Sequence, residues 1–328
     1  MSAGRAIVRL VAVNAAVLLG LLLAVEGTVR LTYPEIRPPG IDRRFVALDA
    51  YGPGVAGLRP NVSGEAMGVV RRVDARGLWQ TRHARPNRPI WLFLGDSVTM
   101  GPGVADDSTF AAHLGADVDS LDVQNAALAG YDAADYVAVL RGRQVRADGA
   151  AIRRVTVVWC LNDVYAGHTV DGVPGGGRVL ASPVAAWLRR HVRTVAWAKA
   201  TFADRPRAYA RFDAALYAPD RPHLATALAH LDTLAALATN AGIALDVALV
   251  PYEAQLRPTD AATGDGDRSP QQRLAAALAA RKIPVLDLAP AFAAVPDPRR
   301  LYLYGDGIHL SDAGHRVVAA ALRRWQPR

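Results

Sequence analysis

Ile90-Trp91-Leu92-Phe93-Leu94-Gly95-Asp96-Ser97-Val98-Thr99 decides how the rest of the chain reads. An uninterrupted apolar run stops at Gly95, and an acid and a hydroxyl follow it. A run of this kind is what a strand covered on both faces looks like. Parallel sheets place their sites just beyond the carboxyl ends of such strands. Ser97 therefore stands where a nucleophile is useful. The same Asp-Ser pair is also ordinary turn and helix-cap chemistry, so the stretch needs support from elsewhere.

Downstream, apolar patterns alternate between the two periods. A short helix is expected near Thr109–Leu114, a strand near Leu121–Asn125 and a helix over Ala133–Val145. The β-branched run Arg154–Cys160 reads as a second strand buried on both faces. Further helices are expected over His223–Asn240 and Gln271–Arg281, each followed by a strand, Ile243–Val250 and Ile283–Leu288. Ser311 is placed to cap a last helix ending near Trp325. Strand and helix alternating in this way imply an α/β fold, a parallel sheet with helices on both faces. Pro183–Phe202 reads as one amphipathic helix whose tryptophan and arginines also suit a membrane surface or a lid. Gly175-Gly176-Gly177 lacks the Gly-Lys-Ser/Thr ending of a phosphate loop and reads as a linker. Asp265 and Asp267 lack the full ligand pattern of a calcium loop and read as solvated.

The N-terminus is of another kind. Leu10 to Val25 carries no charge, and the apolar stretch extends from Ala6 to Val29 around Arg9 and Glu26. Residues 1–32 are expected to be a single-pass membrane anchor, since Val25-Glu26-Gly27 makes a poor cleavage site; a cleaved signal is the alternative. Residues 33–89, rich in Pro, Gly and Arg, read as an extended linker and collar, in which Met67–Val73 resembles a strand. Residues 90–328 form the expected catalytic domain. The net charge of +8 comes almost wholly from arginine, lysine occurring only at Lys199 and Lys282. The arginines are scattered and no nucleic-acid module is legible, so a solvated surface or contact with anionic lipid or glycan is the expectation. The single Cys160 excludes an intramolecular disulfide and a cysteine zinc cluster, and it sits in an apolar run.

Three other stretches give Ser97 its context. Asp306 and His309 precede the last helix; a serine needs a base, and the base needs a partner that fixes its tautomer. Gly130 and Asn162 each follow an expected strand, on the same rim as Ser97. The backbone N–H groups of Ser97 and Gly130 and the amide of Asn162 would supply donors to an oxyanion. Singly, each has a plain reading: a turn glycine, a loop asparagine, a loop-stabilising Asp-x-x-His. His315 is a rival base, but it falls within the last helix and reads as structural.

Taken in order, Gly95-Asp96-Ser97, Gly130, Asn162-Asp163 and Asp306-Gly307-Ile308-His309 resemble the four sequence blocks of the SGNH (GDSL-type) hydrolase family. The resemblance covers about Ile90 to the C-terminus and extends to a membrane-anchored branch of that family. It implies a flavodoxin-like three-layer α/β/α sandwich, Ser97 as nucleophile, His309 as base, Asp306 as its orienter, and an oxyanion hole of Ser97, Gly130 and Asn162. It implies no cofactor and no metal. Two positions depart from the pattern: Val98 where Leu is usual, and Cys160 where Gly is usual, which bears on the width of the cleft. Gly-x-Ser-x-Gly is absent, so Ser97 is not the elbow of an α/β-hydrolase.

The leading expectation is a serine esterase acting on an acyl ester, on a glycan or a lipid, through an acyl-enzyme. The alternative is an O-acyltransferase that passes the same acyl group to a surface polysaccharide. A noncatalytic anchored binding module is the third reading, and the intact set Ser97, Asn162, Asp306 and His309 counts against it. No protein partner is legible. The resemblance and the anchor together favour an extracytoplasmic catalytic domain.

Overall fold

A computed structural model describes residues 3–145, 151–167 and 182–325; the Gly175-Gly176-Gly177 linker lies outside them. Five strands form one sheet: β5 (Ile90–Gly95), β6 (Asp122–Asn125), β7 (Ile152–Trp159), β8 (Ala244–Leu249) and β9 (Val285–Asp287). Their spatial order is β6-β5-β7-β8-β9, and every pairing is parallel. This is the flavodoxin-like order, in which the chain reverses its direction of winding between β5 and β7. All residues of β5 are buried, as its unbroken apolar run requires.

Helices cover both faces. With right-handed crossovers, α3 (Phe110–Asp117) and α11 (Asp312–Arg324) share one face, while α4 (Ala133–Val145), α8 (His223–Asn240) and α9 (Ser269–Ala280) share the other. The contacts agree: α3 packs on α11, and α4 on α8. Ser311 caps α11 through its side chain, which accepts from the Gly314 N–H at 3.3 Å. The expected helix over Pro183–Phe202 is two helices, α5 (Pro183–His191) and α6 (Arg193–Phe202), broken at Val192 in an extended conformation. Helix α7 (Arg205–Ala215) was not expected from periodicity; only Ala210 and Asp213 on it are buried. Asp265 is not solvated: it is buried and paired with Arg207 at 2.6 Å.

The Pro- and Gly-rich segment before β5 packs into the domain. It carries two small antiparallel pairs, β1 (Val46–Ala47) with β2 (Gly57–Leu58), and β3 (Ser63–Ala66) with β4 (Val69–Arg72). The strand expected from Met67 begins later because Met67 (φ 48°) and Gly68 (φ 71°) are the hairpin turn, both left-handed as a type I′ turn demands. Phe45, Leu58, Val73, Leu78 and Trp79 are buried in the same core as the sheet. Upstream, α1 (Ala3–Thr32) is one apolar helix, long enough to cross a membrane or to serve as a signal sequence.

Candidate active site

Ser97 begins α2 (Ser97–Met100), directly after β5. Asp96 is the N-cap, its Oδ1 accepting the Val98 N–H at 2.7 Å. The turn between strand and helix is tight. A Cβ on Gly95 would meet the Thr99 side chain (Cβ at 2.6 Å) and the Val158 carbonyl oxygen at 2.9 Å, so glycine is required there for space. Asn125, at the carboxyl end of β6, holds the other end of α2 by donating from Nδ2 to the Thr99 carbonyl at 2.7 Å.

The loop before α11 brings His309 to Ser97. His309 Nε2 lies 3.0 Å from Ser97 Oγ, and His309 Nδ1 lies 2.9 Å from Asp306 Oδ1. That same Asp306 oxygen accepts the backbone N–H groups of Ile308 (3.1 Å) and His309 (2.7 Å), so the carboxylate is locked against its own loop. With Nδ1–H donated to Asp306, Nε2 is left as the acceptor for the Ser97 proton. Burial alone would lower the His309 pKa; the Asp306 charge and hydrogen bond, with Asp96 nearby, outweigh it and raise the pKa above the usual 6.5. Asp306 answers in the opposite sense: burial is overcome by His309, and its pKa falls to about 2.

Gly305 and Gly307 flank Asp306 in left-handed conformations, φ 67° and 73°. Each also lies under a roof: a Cβ on Gly305 would meet Ala200 of α6 at 2.5 Å, and one on Gly307 would meet Pro206 at the start of α7. The two glycines are thus fixed both by backbone angle and by close approach.

Asn162 stands just beyond β7, the strand beside β5, so Ser97 and Asn162 meet at the point where the winding reverses. Its Nδ2 donates to Asp96 Oδ2 at 3.0 Å, and Ser97 Oγ is 3.3 Å from that oxygen. Its Oδ1 is met by Cys160 Sγ at 2.7 Å and by Tyr252 Oη at 3.1 Å. Cys160 thus spends its departure from the family pattern on holding the amide, buried beneath it. Tyr252 also reaches Asp213 Oδ2 at 2.8 Å, and Tyr165 donates to Asp213 Oδ1 at 2.7 Å. Burial raises the Asp213 pKa to about 6 in spite of those two hydroxyl donors. Gly130 lies in the loop after β6, exposed, with φ 90° and open space where a Cβ would be. His315 is buried in α11, accepts the Phe110 N–H at 3.2 Å and is held neutral by burial, its pKa lowered to about 3.

Ligand atoms of Asp96, Cys160 and Asp163 lie within 4.8 Å of one another. They are already committed to hydrogen bonds: Asp163 takes the Tyr136 hydroxyl and the Cys160 N–H, both at 2.7 Å. Burial pushes the Cys160 thiol well up, and its Sγ–H is turned to Asn162 Oδ1. A cavity of about 1460 Å³ lies behind the Asp306 loop, bordered by Gly305, Gly307 and the α6–α7 junction. Within it Arg257 pairs with Asp204 and Glu253, and Ser97 does not line it.

Tyr252, Asp213 and the positioning role of Cys160 were not foreseen. Their signal is long-range contact, which no local motif carries.

No functionally curated protein matches this chain. Among solved structures it is similar to a lipolytic protein of the G-D-S-L family from Veillonella parvula (14% identity, TM-score 0.42, covering 72% of this chain and 97% of that one). It is also similar to a putative lipolytic G-D-S-L protein from Desulfitobacterium hafniense (16%, 0.41, 72% and 99%). A third is an acetylxylan esterase from Geobacillus stearothermophilus (15%, 0.43, 72% and 93%). The model of the GDSL-like lipase/acylhydrolase family matches residues 93–317, most of the chain and every block from the nucleophile turn to the last helix, so the chain belongs to that family and is an ester hydrolase.

Proposed function

We propose that the chain is a serine esterase in which Ser97 attacks an acyl ester, His309 moves the proton and Asp306 orients the imidazole. The observation that carries this is the unbroken line Asp306 Oδ1, His309 Nδ1, His309 Nε2, Ser97 Oγ, with contacts of 2.9 and 3.0 Å. In the first step Ser97 Oγ bonds to the acyl carbon while its proton passes to Nε2. The alcohol then leaves with that proton, and an acyl-enzyme remains. Water repeats the sequence and frees the acid. The tetrahedral oxyanion is held by the N–H groups of Ser97 and Gly130 and by Asn162 Nδ2, whose amide is oriented by Asp96 and Cys160. No cofactor enters these steps.

The N-terminal helix is read as a retained single-pass anchor, with the catalytic domain on the extracytoplasmic side. Transfer of the acyl group to a polysaccharide hydroxyl uses the same acyl-enzyme and differs only in the acceptor.

The test is labelling of the full chain in detergent with a fluorophosphonate probe. Labelling is expected to vanish in Ser97→Ala and to fall steeply in His309→Ala. Labelling that persists in Ser97→Ala would overturn the assignment. Turnover of an aryl acetate with and without added oligosaccharide separates the acceptors: acylated sugar in place of free acid would identify a transferase.

A further inference from the structure

The last turns of α1 are built into the domain. The Glu26 carboxylate accepts the backbone N–H groups of Arg193 (3.0 Å) and Thr194 (2.9 Å) and the Thr194 hydroxyl (2.8 Å). Helix α6 has no side-chain cap of its own, so Glu26 serves as one from outside. Arg30 ties Glu26 to the end of α5, bonding the carboxylate and the His191 carbonyl at 2.6 Å each. Val29 is buried, and the Tyr33 ring lies 5.3 Å from that of Tyr304, beside the Asp306 loop.

Depth follows from length. Leu10 to Val25 is uncharged, which at 1.5 Å per residue makes about 24 Å of helix, and flanking residues that snorkel bring it to the roughly 30 Å of a bilayer core. Glu26 then stands at the boundary between acyl chains and headgroups. The α5–α6 turn is hydrogen-bonded to Glu26, so it stands at the same level.

The face presented there is apolar with a basic edge. Val184, Trp187 and Leu188 share one side of α5 and are 68%, 57% and 37% exposed, while no residue of α5 is buried. Beyond Leu31, the exposed large apolar side chains among the described residues are Leu48, Val70, Val145, Val184, Trp187, Leu188 and Phe202; the last four all belong to α5 and α6. Arg190, exposed and 3.5 Å from Glu65, stands at the edge of this surface, with Arg189 and Arg193 half-buried beside it.

We infer that α5 lies in the headgroup layer of the bilayer that α1 crosses, its Val184-Trp187-Leu188 face turned into lipid and its arginines toward anionic headgroups. This rests on the reading of α1 as a retained anchor. The same clamp sets the catalytic loop near the membrane, because α6 packs through Ala200 on Gly305. An aromatic and aliphatic face with flanking arginines is the composition of an interfacial helix, and continuity with the spanning helix selects lipid over a protein partner.

Nitroxide labels at Leu188→Cys, Leu18→Cys and Leu48→Cys in the full chain, reconstituted in phosphatidylcholine–phosphatidylglycerol bilayers, test this by collision with oxygen against a water-soluble nickel chelate. The single native Cys160 is buried. The expected result is a deep label at position 18, a wet one at 48, and at 188 an oxygen-to-nickel ratio several-fold above that at 48. A label at 188 as wet as that at 48, with 18 deep, overturns the inference and leaves the anchor standing. A wet label at 18 removes the anchor and the inference with it. Dipolar broadening between 188 labels means a second copy covers α5, and also overturns it. Quenching of Trp187 by brominated lipid, measured against Trp187→Phe, makes the same distinction without a label and fails in the same cases.

Discussion

At the scale of the residue, the line from Asp306 to Ser97 sets the pH dependence. In the proposed mechanism His309 must be neutral to accept the serine proton, and its pKa is raised above 6.5, mainly because the Asp306 charge outweighs burial. Activity therefore rises with pH through a midpoint above 6.5 and is lost below it. Replacing Asp306 by Asn removes the charge and the tautomer control together. The expected outcome is a fall in kcat/KM on the order of 10⁴-fold, with the acid limb moved to lower pH; a pH–rate profile on an aryl ester reads both. Asn162→Ala should cost roughly 10²–10³-fold in kcat if its amide holds the oxyanion. Tyr252→Phe removes the hydroxyl that stands between Asn162 Oδ1 and Asp213 Oδ2 and whose single proton serves one of them at a time. A loss of about three- to tenfold in kcat with KM unchanged is expected, the size of one neutral hydrogen bond. A raised KM with kcat unchanged would assign Tyr252 to substrate binding instead.

At the scale of the element, the nucleophile helix depends on a residue far from its own strand. Arg71 of β4 is fully buried, pairs with Asp106 at 2.6 Å and donates to the carbonyls of Met100 (3.1 Å) and Gly101 (2.5 Å) at the end of α2. Arg71→Met would leave the buried Asp106 with only the exposed Arg72 guanidinium, 3.4 Å away, at a cost of about 3 kcal/mol. Chemical unfolding of the full chain in detergent measures it, and the double variant Arg71→Met/Asp106→Leu should recover much of the loss. The elements legible in the sequence are those whose signal is local. His223–Asn240 is helical over its whole expected length, and Ser311 caps where its position predicts. Helix α7 escaped because its buried side is narrow, and Val192 broke an otherwise continuous pattern. Of the site, Ser97 and His309 lie in short motifs that mark strand end and helix start. Asp213, Cys160 and Tyr252 act through contacts between distant segments, and Arg71 reads in sequence as one more surface arginine.

At the scale of the whole molecule, α1, α6 and the Asp306–His309 loop form one stack. Glu26→Ala removes the external cap of α6, and about 1 kcal/mol of stability should go with it, by analogy with the loss of an N-cap. Thermal unfolding of the full chain reads that loss, and an unchanged midpoint would mean that water replaces the carboxylate at no cost. The two halves of the reactive centre are joined to this frame in different ways. Ser97 and Asn162 follow adjacent strands, Gly95 opposite Val158, and the ladder between them fixes their spacing. His309 is carried instead by a loop outside the ladder, tied by single bonds such as Glu253 N–H to the Gly307 carbonyl (2.9 Å), with its glycines against α6 and α7. The oxyanion side is therefore a stiff joint and the proton-transfer side a soft one. On warming, the soft joint loosens first, so turnover should fade while the sheet is still whole, and the temperature optimum is a property of the roof over Gly305 and Gly307 rather than of the core.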